Sequence, residues 1–171
     1  MLKQKIEKSF NDQITEELFS SYLYLSMSAY FQSVNLPGFA NWMRVQAQEE
    51  LMHAMKFYDY INERRGRVLL KEIKTPRHEW ESPLEIFEAA LKHEEYITEK
   101  INNLVDISLK EKDHASNVFL QWFVNEQVEE EANADDIINR LKLIGDSKDG
   151  LFMIDRELAT RVFTMPAPGA P

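Results

Sequence analysis

Between Met1 and Asn35, between Phe39 and Arg65, and again between Leu84 and Ile144, the chain contains neither glycine nor proline. Only five glycines and six prolines occur in its 171 residues. Long stretches free of breakers, with apolar residues recurring every three to four positions, favour helices over strands. The spacing predicts a first helix over about Lys3–Val34 and a turn at Asn35-Leu-Pro-Gly38. A second helix starts at Pro37, a residue suited to a first helical position, and ends where Gly66 follows two arginines. Ser82-Pro-Leu-Glu85 has the spacing of a capping box and opens a third helix reaching about Lys110. Asp113 is the expected N-cap of a fourth, which runs to about Leu143. Gly145-Asp-Ser147 breaks that helix, and a short fifth is expected from about Asp149 to Phe163. The longest irregular piece, Arg67–Glu81, begins with a β-like Arg67-Val-Leu-Leu70.

Four helices of roughly 28 to 32 residues span about 42 to 48 Å each. Short turns join the first to the second and the third to the fourth as antiparallel hairpins. The middle connector is long enough to run the length of the bundle. The expected architecture is all-α, a four-helix bundle with a long crossover and a short fifth C-terminal helix. One domain covers residues 1–165, and 166–171 form an irregular Pro-rich tail.

Composition narrows the function. With 29 acidic against 20 basic residues the formal charge is −9, which argues against nucleic-acid and anionic-membrane partners. The absence of cysteine excludes iron–sulfur clusters, thiolate zinc sites and disulfides. No apolar run approaches the ~20 residues of a membrane span, and the opening residues lack a signal-peptide hydrophobic region. The expected compartment is the cytoplasm.

What interrupts the apolar stripes carries the chemistry. At heptad spacing the first helix reads Phe10, Ile14, Glu17, Ser21, Tyr24, Ser28 and Phe31, and the second Phe39, Trp42, Gln46, Glu50, His53, Phe57 and Tyr60. The third places Glu94 between Leu91 and Ile97, and the fourth places Gln127 and Glu130 between Phe123 and Ala134. Every stripe is apolar toward its ends and carries a carboxylate near its middle. Antiparallel packing brings midpoints together, so Glu17, Glu50, His53, Glu94, Gln127 and Glu130 should converge at one depth. Each feature alone has a plainer explanation: a single Glu-x-x-His is common on helix surfaces, and Glu129-Glu-Glu131 resembles a solvated acidic run. Their coincidence at one level does not. Four carboxylates cannot all stay ionised in a dry core, where desolvation costs several kcal/mol each. Either some are protonated or multivalent cations sit among them. One histidine among oxygen ligands, with Glu50 and His53 at i,i+3, suits iron better than calcium or a thiolate-type zinc site.

The stretches Ser21-Tyr-Leu-Tyr-Leu-Ser-Met27, Gly38-Phe-Ala-Asn-Trp-Met43, Gln48-Glu-Glu-Leu-Met-His-Ala54, Ala90-Leu-Lys-His-Glu94 and Asn125-Glu-Gln-Val-Glu-Glu-Glu131 are similar to those of the non-haem ferritins of bacteria and archaea. The resemblance runs over essentially all of residues 1–165. It implies a ferritin-like fold and a hollow homo-oligomeric shell, usually of twenty-four subunits, that oxidises Fe(II) with O2 or peroxide and stores ferric mineral. It further implies a ferroxidase centre in which Glu17, Glu50 and His53 hold one iron, while Glu50 bridges to a second held with Glu94 and Glu130. Gln127 would bond the bound oxygen species or water. Glu49, Glu126 and Glu129, with Glu130, match a third iron position, and Tyr24, with Tyr58 and Trp122, matches residues that supply an electron.

Two departures from related families matter. Bacterioferritins carry a second Glu-x-x-His where this chain has Gln127-x-x-Glu130, and a haem-ligating methionine where it has Leu51, so no haem is expected. Animal ferritins line a threefold channel with acids where this chain has His114, Asn117 and Leu120. Some archaeal members assemble with another symmetry and large pores. The fifth helix, carrying Leu151, Phe152, Ile154, Leu158 and Val162, matches one that packs with symmetry mates. The alternative is an erythrin-like di-iron peroxidase or oxidase without a storage cage, and a purely structural helical bundle is the third reading.

Overall fold

The computed structural model describes residues 1–164; the Pro-rich tail expected over 166–171 lies outside the described residues. Five helices follow in order: α1 Gln4–Ser33, α2 Pro37–Glu63, α3 Pro83–Lys110, α4 His114–Ile144 and α5 Lys148–Leu158. Among the described residues there is no strand, and no helix is long and apolar enough to cross a membrane. The hairpins α1/α2 and α3/α4 join chiefly through α1 against α3, and α5 docks on α2 and α4. The all-α bundle, its crossover and its short last helix are therefore as the sequence spacing requires.

Two local expectations are corrected. The expected end of α2 before Gly66 stands, and the left-handed residue there is Arg65, as Asn35 and Lys112 are at the other two turns. A Cβ on residue 66 would lie 2.8 Å from Glu7 Oε2 and 2.9 Å from Ile61 Cγ2, so those side chains would have to shift. Arg67–Leu70 forms no strand. Its backbone pairs with a side chain, Asn11, whose Oδ1 accepts from Leu69 N at 2.5 Å and whose Nδ2 donates to Arg67 O at 3.0 Å. The connector continues along α1, where Ser26 Oγ donates to Arg77 O and Trp80 packs edge-on against Tyr30. From Asn11 to Tyr30 it thus follows about 28 Å of helix. The second correction is α5, which starts at Lys148 and ends at Leu158, short of Phe163. Asn41 Nδ2 collects the carbonyls of Leu158, Ala159 and Arg161 at 3.2, 3.4 and 2.9 Å, and the chain leaves helical geometry there.

Both ends of the bundle are pinned by charged caps. At one end Arg64 holds the Asp113 carboxylate with both Nη atoms, at 2.9 and 3.2 Å, while Asp113 caps α4 through Ser116 N. At the other, α2 begins without a capping side chain of its own. Asp155, 117 residues downstream of Gly38 on α5, supplies the cap, its Oδ1 accepting from Gly38 N at 2.8 Å and Phe39 N at 3.0 Å. The approach is close enough that a Cβ on residue 38 would lie 1.6 Å from the Asp155 carbonyl oxygen.

The core is not continuous. One apolar cluster contains Phe31, Phe39, Trp42, Phe87, Ile137, Leu141 and Ile154; another contains Phe10, Phe57, Ile97, Ile101, Leu120 and Phe123. Buried polar side chains of all four long helices occupy the sequence positions between the two clusters.

Asp155→Ala leaves two N–H groups at the start of α2 unpaired. We expect it to lower stability by about 1–2 kcal/mol and to speed proteolysis within 148–164, while the four long helices stay folded. Thermal unfolding and limited proteolysis measure both, and unchanged cleavage there would show that α5 is held by other contacts.

Candidate metal centre

The polar layer is built from residues one or two turns apart on each helix. Gln13 and Glu17 come from α1, Gln46, Glu50 and His53 from α2, Glu94 from α3, and Gln127 and Glu130 from α4. Glu17, Glu50, His53, Glu94 and Gln127 are no more than 3% exposed, and Glu130 is 7% exposed. All six residues that the stripe pattern brings to one depth are buried in this layer.

Glutamine amides provide most of its hydrogen bonds. Gln13 Nε2 donates to Glu17 Oε1 at 2.9 Å. Gln46 Nε2 donates to Glu130 Oε2 at 2.6 Å and to Glu50 Oε1 at 3.2 Å, joining α2 to α4. Gln127 Nε2 reaches Glu94 Oε2 at 3.2 Å, and the Tyr24 hydroxyl donates to Glu94 Oε1. Among the described residues no Lys or Arg forms an ion pair with Glu17, Glu50, Glu94 or Glu130. Burial pushes these four carboxyls up to about 8, and in each case a neighbouring carboxylate adds to the rise. The Tyr24 phenol is raised too, by burial first and then by Glu94.

Two atoms of the layer have no hydrogen-bond partner: Glu17 Oε2 and His53 Nε2. Buried polar atoms are rarely left unpaired, and Glu17 and His53 are members of one candidate ligand group. Ligand atoms of Glu17, Glu50 and His53 all lie within 4.8 Å of one another. His53 Nδ1 is 3.4 Å from Glu50 Oε2. A second such group is His53, Glu126 and Glu130. Two carboxylates and an imidazole converging on one point, with oxygen and nitrogen lone pairs unspent, fit a divalent first-row transition metal.

The residues implied by the sequence resemblance for a third position behave differently. Glu49, Glu126 and Glu129 are not drawn into one cluster. Glu126 is half-buried and joins His53 and Glu130, Glu129 is exposed, and Glu49 is half-buried and paired with Arg161 at 2.5 Å. Burial raises the Glu49 carboxyl, with Arg161 opposing the rise. Trp122 lies edge-on to His53 with ring centroids 5.4 Å apart, and Lys56 Nζ sits 3.9 Å above the Trp122 ring. Tyr58 is half-buried beside the lower apolar cluster. His93, one step off the stripe, stays out of the layer, its Nε2 2.8 Å from Ser20 Oγ. His78 and His114 are exposed, whereas Leu120 is fully buried in the core and lines no channel.

A family model for the ferritin-like domain matches residues 7–144. The chain belongs to the ferritin family. The bacterial non-heme ferritin of Bacteroides fragilis is 44% identical over 161 residues, covering 94% of this chain and all of that protein. That of Staphylococcus aureus is 39% identical over 163 residues, covering 95% and 98%. An open-pore ferritin from the hyperthermophilic archaeon Archaeoglobus fulgidus matches with a TM-score of 0.94 at 51% identity, covering 95% of this chain and 100% of that one. A closed form engineered from the A. fulgidus ferritin gives 0.95 at 51% identity over 96% and 100%.

Sequence reasoning missed two groups of this ferritin's centre. Gln13 sits four residues before Glu17 on the same face, and that spacing could have signalled it. Arg161 could not be found, because it reaches α2 only through the docking of α5.

Carboxyls held near 8 in the folded protein but at 4.5 when exposed keep their protons while the unfolded chain has lost them. Their contribution is complete below about 4.5 and is lost as pH rises through about 8. His93, lowered to about 4 from 6.5 by burial, acts oppositely and only below about 6.5. The melting temperature of the metal-free protein should therefore fall as pH is raised from about 6.5 to about 8. Zn(II) should flatten this dependence and release protons on binding. Melts at fixed protein concentration and proton release in weak buffer test it; a metal-free melting temperature that rises over this window would show the layer to be ionised already.

Proposed function

We propose that this chain is an iron-storage ferritin whose central layer oxidises Fe(II) and whose homo-oligomeric shell holds the ferric product. The observation that carries the reading is the buried cluster of Glu17, Glu50 and His53, whose ligand atoms lie within 4.8 Å of one another and which includes an unpaired Glu17 Oε2. In this reading Glu17, Glu50 and His53 take one iron, and Glu50, Glu94 and Glu130 take a second. Two irons held side by side supply electrons to one molecule of O2 or H2O2.

The side chains set the direction and the release. Hard carboxylate oxygens favour Fe(III) over Fe(II), which makes oxidation downhill. Gln46 and Gln127 orient Glu50, Glu130 and Glu94 without neutralising them, so charge compensation is left to the incoming metal. Protons held on the carboxyls leave as iron binds. In this reading Tyr24, whose hydroxyl donates to Glu94, gives an electron and its hydroxyl proton, with Trp122 and Tyr58 further out. An oxygen-rich site with a single imidazole also lets a ferric ion go, which a storage protein requires. Glu49, Glu126 and Glu129, with Glu130, are the residues for a third iron outside the pair.

The shell reading draws on the surface. Ile154 and Leu158 of α5 are buried against the bundle, yet Phe152 and Met153 on the same helix are 62% and 72% exposed. Adjacent exposed apolar side chains on a helix docked at the bundle end suit packing against copies of the same chain. The A. fulgidus relatives are an open-pore ferritin and an engineered closed form. The expected compartment is the cytoplasm, and the whole of 1–165 acts as one domain.

Aerobic Fe(II) addition followed by sizing decides between storage and a cage-free di-iron oxidase: a large shell retaining hundreds of irons supports storage, a small oligomer retaining a few refutes it. Glu50→Ala and His53→Ala should each slow the initial oxidation by more than about tenfold with assembly intact. Parental rates in both would remove the assigned centre.

The double substitution Phe152→Ser and Met153→Ser should weaken or alter the assembly while the helical circular-dichroism signal is unchanged. An unaltered sedimentation profile and heat resistance would show that α5 takes no part in it.

A further inference from the structure

Among the described residues after α5, Arg161 is the charged side chain that reaches the edge of the metal layer. Its backbone is anchored by Asn41 Nδ2, which donates to Arg161 O at 2.9 Å. Its guanidinium lies over the Trp42 ring at 4.3 Å. Nη1 donates to Gln46 Oε1 at 2.9 Å, and Nη2 to Glu49 Oε2 at 2.5 Å. Trp42, Gln46 and Glu49 are spaced by four and three residues, so one planar fork spans two turns of a single face of α2. Arg161 and Glu49 side chains are each 21% exposed, which keeps the pair partly shielded from solvent.

We propose that Arg161 is a built-in cation competing with metal for Glu49, and that it sets the affinity of the outer metal position. The inference rests on the reading that Glu49 belongs to a third iron position. Two effects act through the same fork. The charge occupies the carboxylate that an outer metal must use and repels a divalent ion beside it. The bond to Gln46 Oε1 also fixes which way that amide faces, so that its Nε2 points at Glu50 and Glu130. Removing the guanidinium frees Glu49 for metal; moving metal onto Glu49 frees the guanidinium from its fork. Arg161 is a positioning residue and touches no ligand of the inner pair directly. The outer position is thereby weak by construction, and a weak outer position lets iron move on. Because Arg161 is anchored where α5 ends, seating of α5 and outer-site occupancy are linked.

Anaerobic Zn(II) titration of the assembled full-length protein, with bound metal counted per subunit, tests this. The inner equivalents in the parent establish the underlying reading; their absence would overturn that reading and this inference with it. With the inner equivalents present, Arg161→Gln should bind the outer equivalent at least about tenfold more tightly, as removal of one adjacent positive charge requires, with the number of inner equivalents unchanged. Arg161→Lys keeps the charge and should stay near the parent. Glu49→Gln should lose the outer equivalent in either background. Tryptophan fluorescence gives a reading independent of the variants at position 161, taken in a Trp122→Phe background because Trp122 lies against His53: the outer Zn(II) equivalent should change the emission, and adding Trp42→Phe should abolish that change. An Arg161→Gln protein that binds the outer equivalent no tighter than the parent, or more weakly, overturns the inference. So does an outer-equivalent emission step in the Trp122→Phe background that survives the addition of Trp42→Phe.

Discussion

Four carboxyl groups buried at one level between two apolar clusters are what the rest of this bundle is organised to hold. A carboxylate in a dry interior costs several kcal/mol unless it is paired, and here lysine and arginine are kept out of the layer. The substitutes are neutral donors: Gln13, Gln46, Gln127 and the Tyr24 hydroxyl. Each satisfies an oxygen without supplying charge. The layer can therefore exist protonated when empty, and in the proposed function the exchange of those protons for metal takes the place of the fixed salt bridge that would otherwise neutralise it.

That arrangement needs the four helix midpoints to coincide within a side-chain length. The apolar clusters on either side supply most of the packing free energy, with aromatic contacts such as Phe57 stacked on Phe123 at 4.3 Å and Phe31 on Phe39 at 5.1 Å. Apolar packing alone tolerates slippage by a turn, which would carry Glu17 or Glu94 out of the layer. The end caps oppose slippage. Arg64 on Asp113 ties the end of α2 to the start of α4, and Asp155 on Gly38 and Phe39 ties α5 to the start of α2. Directional, charge-assisted bonds at the extremities thus register a layer about half a helix length away.

Most of this was legible in the sequence because helices make position periodic. Phe10, Ile14, Glu17 and Tyr24 share a face by counting alone, and the absence of breakers guaranteed that counting was valid across 30 residues of α1. Asp113 and Ser82 announced their helices by local chemistry, and both cap as their spacing requires. What failed was contact between segments far apart. The Arg67–Leu70 run has β-rich composition, but its pairing partner is the side chain of Asn11, so no strand forms. Gly66 marked the end of α2 correctly, but that Arg65 takes the left-handed backbone there is not written in the spacing. The end of α5 depended on Asn41, 117 residues before Leu158, and helix propensity over Ala159–Phe163 carries no trace of it. The position of Glu126 beside His53, and of Arg161 on Glu49, likewise follows from tertiary docking and not from periodicity.

The distribution of positive charge around the layer has its own logic. Inside, neutral amides leave one oxygen of Glu17 and one nitrogen of His53 unpaired; at the rim, Arg161 neutralises Glu49 and Lys56 lies over Trp122. A guanidinium within the layer would have stabilised the empty protein and closed it to metal, since a buried Arg–carboxylate pair is costly to separate. At a half-exposed rim the same pair is weaker, because water can take over each partner as it leaves. Compensation therefore grades from fixed cations outside to exchangeable ones at the centre. In the proposed function each carboxylate's neighbours then decide whether it can hold a metal and whether it can let one go, with Glu17 and Glu50 at the holding end and Glu49 at the releasing end.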